Sequence, residues 1–170
     1  MNGGYRAPVP LADHHDVSTF TCRSTEQTEW LRRHARQSAT TGTTKVFVVT
    51  EEDDAVVAYY GWCMAHLAVH AAPGRLRKGA GSYPQPVALL ARLGVDTAHE
   101  GRGLGAALLR DALLRLVELS DDIGCRGLLV HAESSEARDF YLHLVPEFES
   151  SPTDDLHLVL LMKDIRRTLR

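Results

Sequence analysis

Residues 99–109, HEGRGLGAALL, carry glycines at 101, 103 and 105 between an apolar run and a long amphipathic stretch. Glycines so spaced let the backbone turn its N–H groups toward one point. A helix beginning there adds the positive end of its dipole, so a diphosphate suits that end. Three chemistries compete for such a loop: a P-loop, a dinucleotide fingerprint and the pyrophosphate site of an acyl-CoA enzyme. A P-loop needs a lysine followed by Ser or Thr after its glycines, and none comes here. The dinucleotide fingerprint sets its first glycine directly behind a strand, whereas residues 96–100 intervene here, and Glu133 lies further along than the usual ribose carboxylate. Coenzyme A is the reading that remains.

Other residue types invite chemistry less strongly. Tyr141 belongs to a set with Ala137, Phe140 and Leu144 at i, i+3, i+4, i+7 spacing, which on pattern alone is a core stripe. His14 adjoins His15, and His66 and His70 are four apart in an expected strand, on one face but too distant for one ion, so no metal is expected. No GxSxG elbow or Cys–His signature supports covalent catalysis. Cys22, Cys63 and Cys125 form no CxxC pair and are expected to be small core hydrophobes.

The elements that must position these residues follow from periodicity. With 170 residues, the chain is expected to form one domain over residues 1–170. Hydrophobic residues are 44% and charged residues 24%, and no apolar run has membrane-span length, so a soluble protein is expected. The first residues show no signal peptide, which makes the cytosol the expected place. Ser24 and Gln27 form a capping box opening a helix over 24–38, with Trp30, Leu31, His34 and Ala35 on one arc and Arg32, Arg33 and Arg36 on the other. Strands are expected over 45–50 and 55–69, joined by the acidic turn 51–54. Residues 71–86, with Pro73, Gly74, Gly79, Gly81, Pro84 and Pro86, read as a flexible cationic loop without regular structure. A strand over 86–96, a helix over 103–120, a strand over 127–132, a helix over 134–145 and a strand over 156–164 follow. Helices interleaved with strands mean a mixed α/β sheet covered on its faces.

The formal net charge of -3 hides a lopsided distribution. Residues 31–50 hold Arg32, Arg33, Arg36 and Lys45 and no acid; residues 55–95 hold Arg75, Arg77, Lys78 and Arg92 and no acid. Folded to one side, these would form a surface attractive to phosphate; the alternative is an ordinary solvated basic face.

LGVDTAHEGRGLGAALLRDAL followed by LLVHAESSEARDFY resembles the acetyl-CoA-binding core of the GNAT-superfamily N-acetyltransferases, with Glu100, Gly103 and Gly105 at the signature positions. PLADHHDVSTF, EWLRRHARQSATTG and APGRLRK also resemble the toxins of bacterial toxin-antitoxin pairs that acetylate aminoacyl-tRNA. Glu100 stands where the family has Gln or Arg, Ser134 where many relatives have Asn, and LHLVPEF replaces a Gly-Phe turn after Phe140 and Tyr141.

The resemblance implies a mostly antiparallel sheet with a central splay between two strands, flanked by helices. The pantetheine arm of acetyl-CoA would lie in that gap against main-chain groups of Leu93 and Val95. It implies that amides of Gly101, Arg102, Gly103, Leu104, Gly105 and Ala106 take the pyrophosphate, with Arg102 as an added cation and Ser134 and Phe140 also near the cofactor. Tyr141 is then the acid for the leaving thiolate. Arg32, Arg33, Arg36, Arg75, Arg77, Lys78 and Arg92 suit a tRNA backbone, with Arg92 either at the acceptor end or paired with a core carboxylate. A homodimer, an antitoxin partner and no membrane contact are further implications. The alternatives are an acetyltransferase acting on a small-molecule or protein amine, or a non-catalytic acyl-CoA-binding regulator.

Overall fold

A computed structural model describes residues 4–170; Met1, Asn2 and Gly3 lie outside the described residues. In chain order the elements are β1 (Val9–Pro10), α1 (Thr25–Arg33), α2 (Ala35–Thr41), β2 (Lys45–Thr50), β3 (Val56–Leu67), α3 (Gly74–Arg77), β4 (Gln85–Val95), α4 (Leu104–Leu119), β5 (Gly127–His131), α5 (Ser135–Leu144), β6 (Glu149–Ser151), β7 (Asp154–Leu161) and α6 (Met162–Thr168). The strands form a seven-stranded sheet in the order β1-β2-β3-β4-β5-β7-β6. β1 with β2, β2 with β3, β5 with β7 and β6 with β7 are antiparallel, and β4 with β5 is parallel. The expected mixed, mostly antiparallel α/β sheet is therefore what the chain adopts. The parallel register joins Ala88, Leu89 and Leu90 to Leu128, Leu129 and Val130.

The chain divides into two compact units, Met1–Cys63 with Ala91–Asp111, and Met64–Leu90 with Ala112–Arg170. In the first, Val46, Val48, Val56 and Tyr59 from β2 and β3 bury against Leu31 and Ala35 of the helices and against Val17, Phe20 and Cys22. β-Branched and aromatic residues at successive positions are what a strand covered on both faces requires. In the second, Leu129 and Val159 of β5 and β7 pack with Leu67, Ala72, Leu76 and Val87.

Several expectations are corrected. The single helix over 24–38 is two, because His34 leaves helical geometry at φ -120° while its N–H still bonds the Trp30 carbonyl at 2.8 Å. His34 is exposed at that joint, while Leu31 and Ala35 stay buried. The strand ending at 69 stops at Leu67, and His70 lies in a 3-10 turn, Val69–Ala71. The 71–86 loop contains the helical turn α3, whose Leu76 is fully buried with Ala72. The strand expected over 156–164 begins at Asp154 and gives way at Met162 to α6, which buries Met162 and Ile165 at helical spacing. β1 and β6 are additional short strands. Cys22 is buried as expected, but Cys63 and Cys125 are half-buried.

Candidate active site

In the first unit the glycine loop follows β4. The Asp96 side chain accepts from the Ala98 N–H at 2.9 Å and the Thr21 N–H at 3.0 Å, which fixes the chain as it leaves the strand. Gly101 and Gly103 have φ of 76° and 80°, left-handed conformations that favour glycine. A Cβ at either would meet nothing within 4 Å, so backbone geometry and not crowding demands glycine, and open space lies before both. The first hydrogen bond of α4 closes from the Ala107 N–H to the Gly103 carbonyl at 3.0 Å. The amides of Leu104, Gly105 and Ala106 precede it and join the positive end of a 16-residue helix dipole. Gly105 is helical, so the left-handed turns lie at the two earlier glycines.

Side chains around the loop are tied. Arg102 Nη1 donates to the Tyr5 hydroxyl at 2.8 Å, and Glu100 accepts Arg23 Nε at 2.9 and 3.2 Å. Within β4, a Cβ on Gly94 would come 3.1 Å from Tyr59 and 3.3 Å from Cys22 and Phe20. That face of the strand is sealed by the core. Strand alternation puts the half-buried Leu93 and Val95 on the opposite face.

The first basic group sits on the helices of this unit. Arg32 Nη2 donates to Thr21 Oγ1 at 2.9 Å, Arg33 pairs with Glu29 at 2.7 Å, and Arg36 donates to the His15 carbonyl. Arg92 pairs with Glu26 at 2.9 Å and lies 5.2 Å from the Trp30 ring centroid as a cation–π contact. The carboxylate it meets is an exposed one, Glu26 at 68%, and not the core carboxylate expected.

The second basic group belongs to the second unit. Arg75 Nη1 reaches Asp164 at 2.8 Å and Glu149 at 3.6 Å, and Asp164 is only 1% exposed. This pairing raises the Arg75 pKa, chiefly through the Asp164 hydrogen bond. Ser151 Oγ donates to the Ala71 carbonyl at 2.6 Å, pinning the chain just ahead of α3. The segment expected to be a flexible loop is thus held by a buried anchor, while Arg77 and Lys78 on it are exposed and have no ion pair among the described residues.

Tyr141 is buried on α5, edge-on to Phe140 at 5.1 Å and beside Phe148 at 6.0 Å. Burial first, and the charge of Glu133 second, push its pKa well above the ordinary phenol range. Ser134 spends its hydroxyl on the α5 cap, accepting the Ala137 N–H at 3.2 Å. Across β5 and β7, His131 stacks on His157 at 3.9 Å. The spacing of 26 residues gave no warning of that pair; only strand register brings it together. The ties of Tyr5 to Arg102 and of Asp164 to Arg75 were equally invisible, since each joins residues far apart along the chain. Among the described residues no group of His, Cys, Asp and Glu is arranged to hold a metal, and no helix is long and apolar enough to cross a membrane.

Residues 43–144 match the acetyltransferase (GNAT) domain. The chain is 46% identical over 163 residues, 96% of each chain, to the tRNA-acetylating toxin of Mycobacterium tuberculosis. It is 26% identical to the probable toxin TacT of Sinorhizobium fredii, over 91% of this chain and 89% of that one. Among solved structures, a tyrosine-to-phenylalanine variant of KacT superposes with a TM-score of 0.89 at 20% identity, covering 97% of this chain and 99% of the other. AtaT complexed with acetyl-methionyl-tRNAfMet gives 0.86 at 22% identity, over 96% and 99%. The chain belongs to the GNAT acetyltransferases.

Proposed function

We propose that this protein moves the acetyl group of acetyl-CoA to the α-amino group of an aminoacyl-tRNA, blocks translation by doing so, and is the toxin of a toxin-antitoxin pair. The observation that carries this is the near-full-length identity to a tRNA-acetylating toxin. Supporting it, AtaT has been solved with acetyl-CoA and with the C-terminus of the antitoxin AtaR. Residues 1–170 are read as one acetyltransferase domain, since β3, β4 and α4 each run unbroken through the division between the two units. The proposed setting is the cytoplasm, as a homodimer without membrane attachment.

The open face before Gly101 and Gly103 fits a diphosphate, so the amides from Gly101 to Ala106 are assigned to it, with Arg102 beside them. Main-chain groups of Leu93 and Val95 are assigned to the pantetheine arm, and Ser134 and Phe140 to cofactor contacts of less weight. Acetyl-CoA supplies the activated acetyl thioester. The acceptor amine attacks unprotonated; an α-amine titrates at about 8 and the neighbouring ester lowers that, so no strong base is needed. As the N–C bond forms and the C–S bond breaks, Tyr141 protonates the departing coenzyme A sulfur, the amine's surplus proton passes to solvent, and the phenol regains its proton from solvent. Arg32, Arg33, Arg36, Arg77, Lys78 and Arg92 are assigned to the tRNA backbone. Arg75 joins them with whatever donors its buried pairing leaves.

Mass spectrometry of the aminoacyl ends of a total tRNA pool, after exposure to the enzyme and acetyl-CoA, tests donor and acceptor together. An N-acetylated aminoacyl end is expected. Acetylated polyamine or protein with untouched tRNA would move the chain to another acceptor class.

A further inference from the structure

The guanidinium of Arg102 does not hang free beside the glycine turn. Its Nη1 donates to the Tyr5 hydroxyl at 2.8 Å, and that hydroxyl lies 2.7 Å from His99 Nδ1. Having accepted from arginine, the phenol keeps its own proton for an imidazole whose Nδ1 is unprotonated. The other ring nitrogen, Nε2, lies 3.7 Å from a Glu51 carboxylate oxygen. Tyr5 is buried at 8% exposure and meets the His99 ring edge-on at 5.6 Å. The chain Arg102–Tyr5–His99–Glu51 therefore runs from the mouth of α4 through the N-terminal segment to the acidic turn after β2, within one unit. A guanidinium has five N–H donors in a planar fork, so one bond to Tyr5 restrains its orientation and leaves the others to reach an anion.

We infer that Tyr5, braced by His99, is a positioning residue that holds the Arg102 guanidinium ready for the diphosphate of the acyl donor. This rests on the diphosphate site proposed above and adds a second requirement to it: the cation must be oriented before the donor arrives. Preorganisation matters because an unheld arginine loses side-chain freedom on binding, and that loss subtracts from affinity.

Titration calorimetry with acetyl-CoA, without acceptor, is run on the natural chain, Tyr5→Phe, Arg102→Ala and the double variant. Turnover of S-acetylpantetheine, which has the thioester arm but no diphosphate, is measured alongside. Tyr5→Phe is expected to weaken acetyl-CoA about fivefold, the worth of one hydrogen bond, and to leave S-acetylpantetheine turnover unchanged. The double variant is expected to bind no worse than Arg102→Ala alone, since Tyr5 acts through the arginine. If Tyr5→Phe binds like the natural chain while Arg102→Ala is weakened, the positioning role falls and the diphosphate reading stands. If Arg102→Ala binds normally, both the role of Arg102 and that of Tyr5 fall. Proportional loss with S-acetylpantetheine also overturns the inference, because it would show a general disturbance of the fold.

Discussion

The two basic groups look alike in sequence and differ in what holds them. Arg33 and Arg92 pair with the carboxylates of Glu29 and Glu26, which are 40% and 68% exposed, on the surface of α1. Such pairs are worth little in water and exchange readily for a phosphate. Arg75 instead faces Asp164, at 1% exposure, and its bond closes a buried charge. The first group, then, is held by exposed partners, whereas on α3 one arginine is structural and its neighbours Arg77 and Lys78 are exposed. Basic residues in one short run need not share one task.

Four measurements would break or sharpen that contrast. The largest effect expected is at the proposed proton donor: Tyr141→Phe should fold and bind acetyl-CoA yet lose about a hundredfold in transfer rate, the range of a positioned proton donor. Turnover near normal would remove the tyrosine from the mechanism. Next, Arg75→Ala should lower the thermal midpoint by several degrees, because Asp164 would keep only Arg167 at 3.7 Å among the described residues. Arg77→Ala should leave the midpoint in place and weaken tRNA binding, and equal melting of the two variants would erase the distinction. Smaller again, changing Arg32, Arg33 and Arg36 to Gln should make the log–log salt dependence of tRNA binding shallower by about 0.7 for each phosphate no longer neutralised. An unaltered slope would place the tRNA elsewhere.

The smallest effect is in pH. Burial first, then the His157 ring beside it, hold the His131 pKa below its ordinary 6.5, with Asp154 opposing. The unfolded chain then takes up more protons than the folded one as pH falls below that value, so stability present at neutral pH drains away toward acid. His15 works in the same direction, again chiefly through burial. The urea midpoint should decline between about pH 7 and about pH 5, and less steeply in His157→Gln.

Long periodic runs made much of this fold legible. The helix expected over 103–120 is Leu104–Leu119, and the strand expected over 127–132 is Gly127–His131, because each buries a continuous pattern of its own. β1 escaped because two residues, one of them proline, have no period; only pairing of Val9 with Val48 makes them a strand. α6 escaped because LVLLM continues the apolar run of β7, and the change of period shows only when Ile165 falls beneath Met162. The glycine turn was legible from residue types, since left-handed turns have few substitutes for glycine. The ties on Arg102 and Arg75 were not, since Tyr5 lies 97 positions from Arg102 and Asp164 lies 89 from Arg75. A sequence shows which side chains are charged; it takes a fold to show which of those charges are already spoken for.

The margins of the sheet have a consequence for self-association. One outer strand is two residues long and ends in Pro10, which has no N–H to offer; the other is three residues long and slips register between Ser150 and Ser151. Both rims are poor templates for a long added ribbon. Edges this short discourage strand addition between copies, which disfavours fibrous stacking even where the polypeptide accumulates.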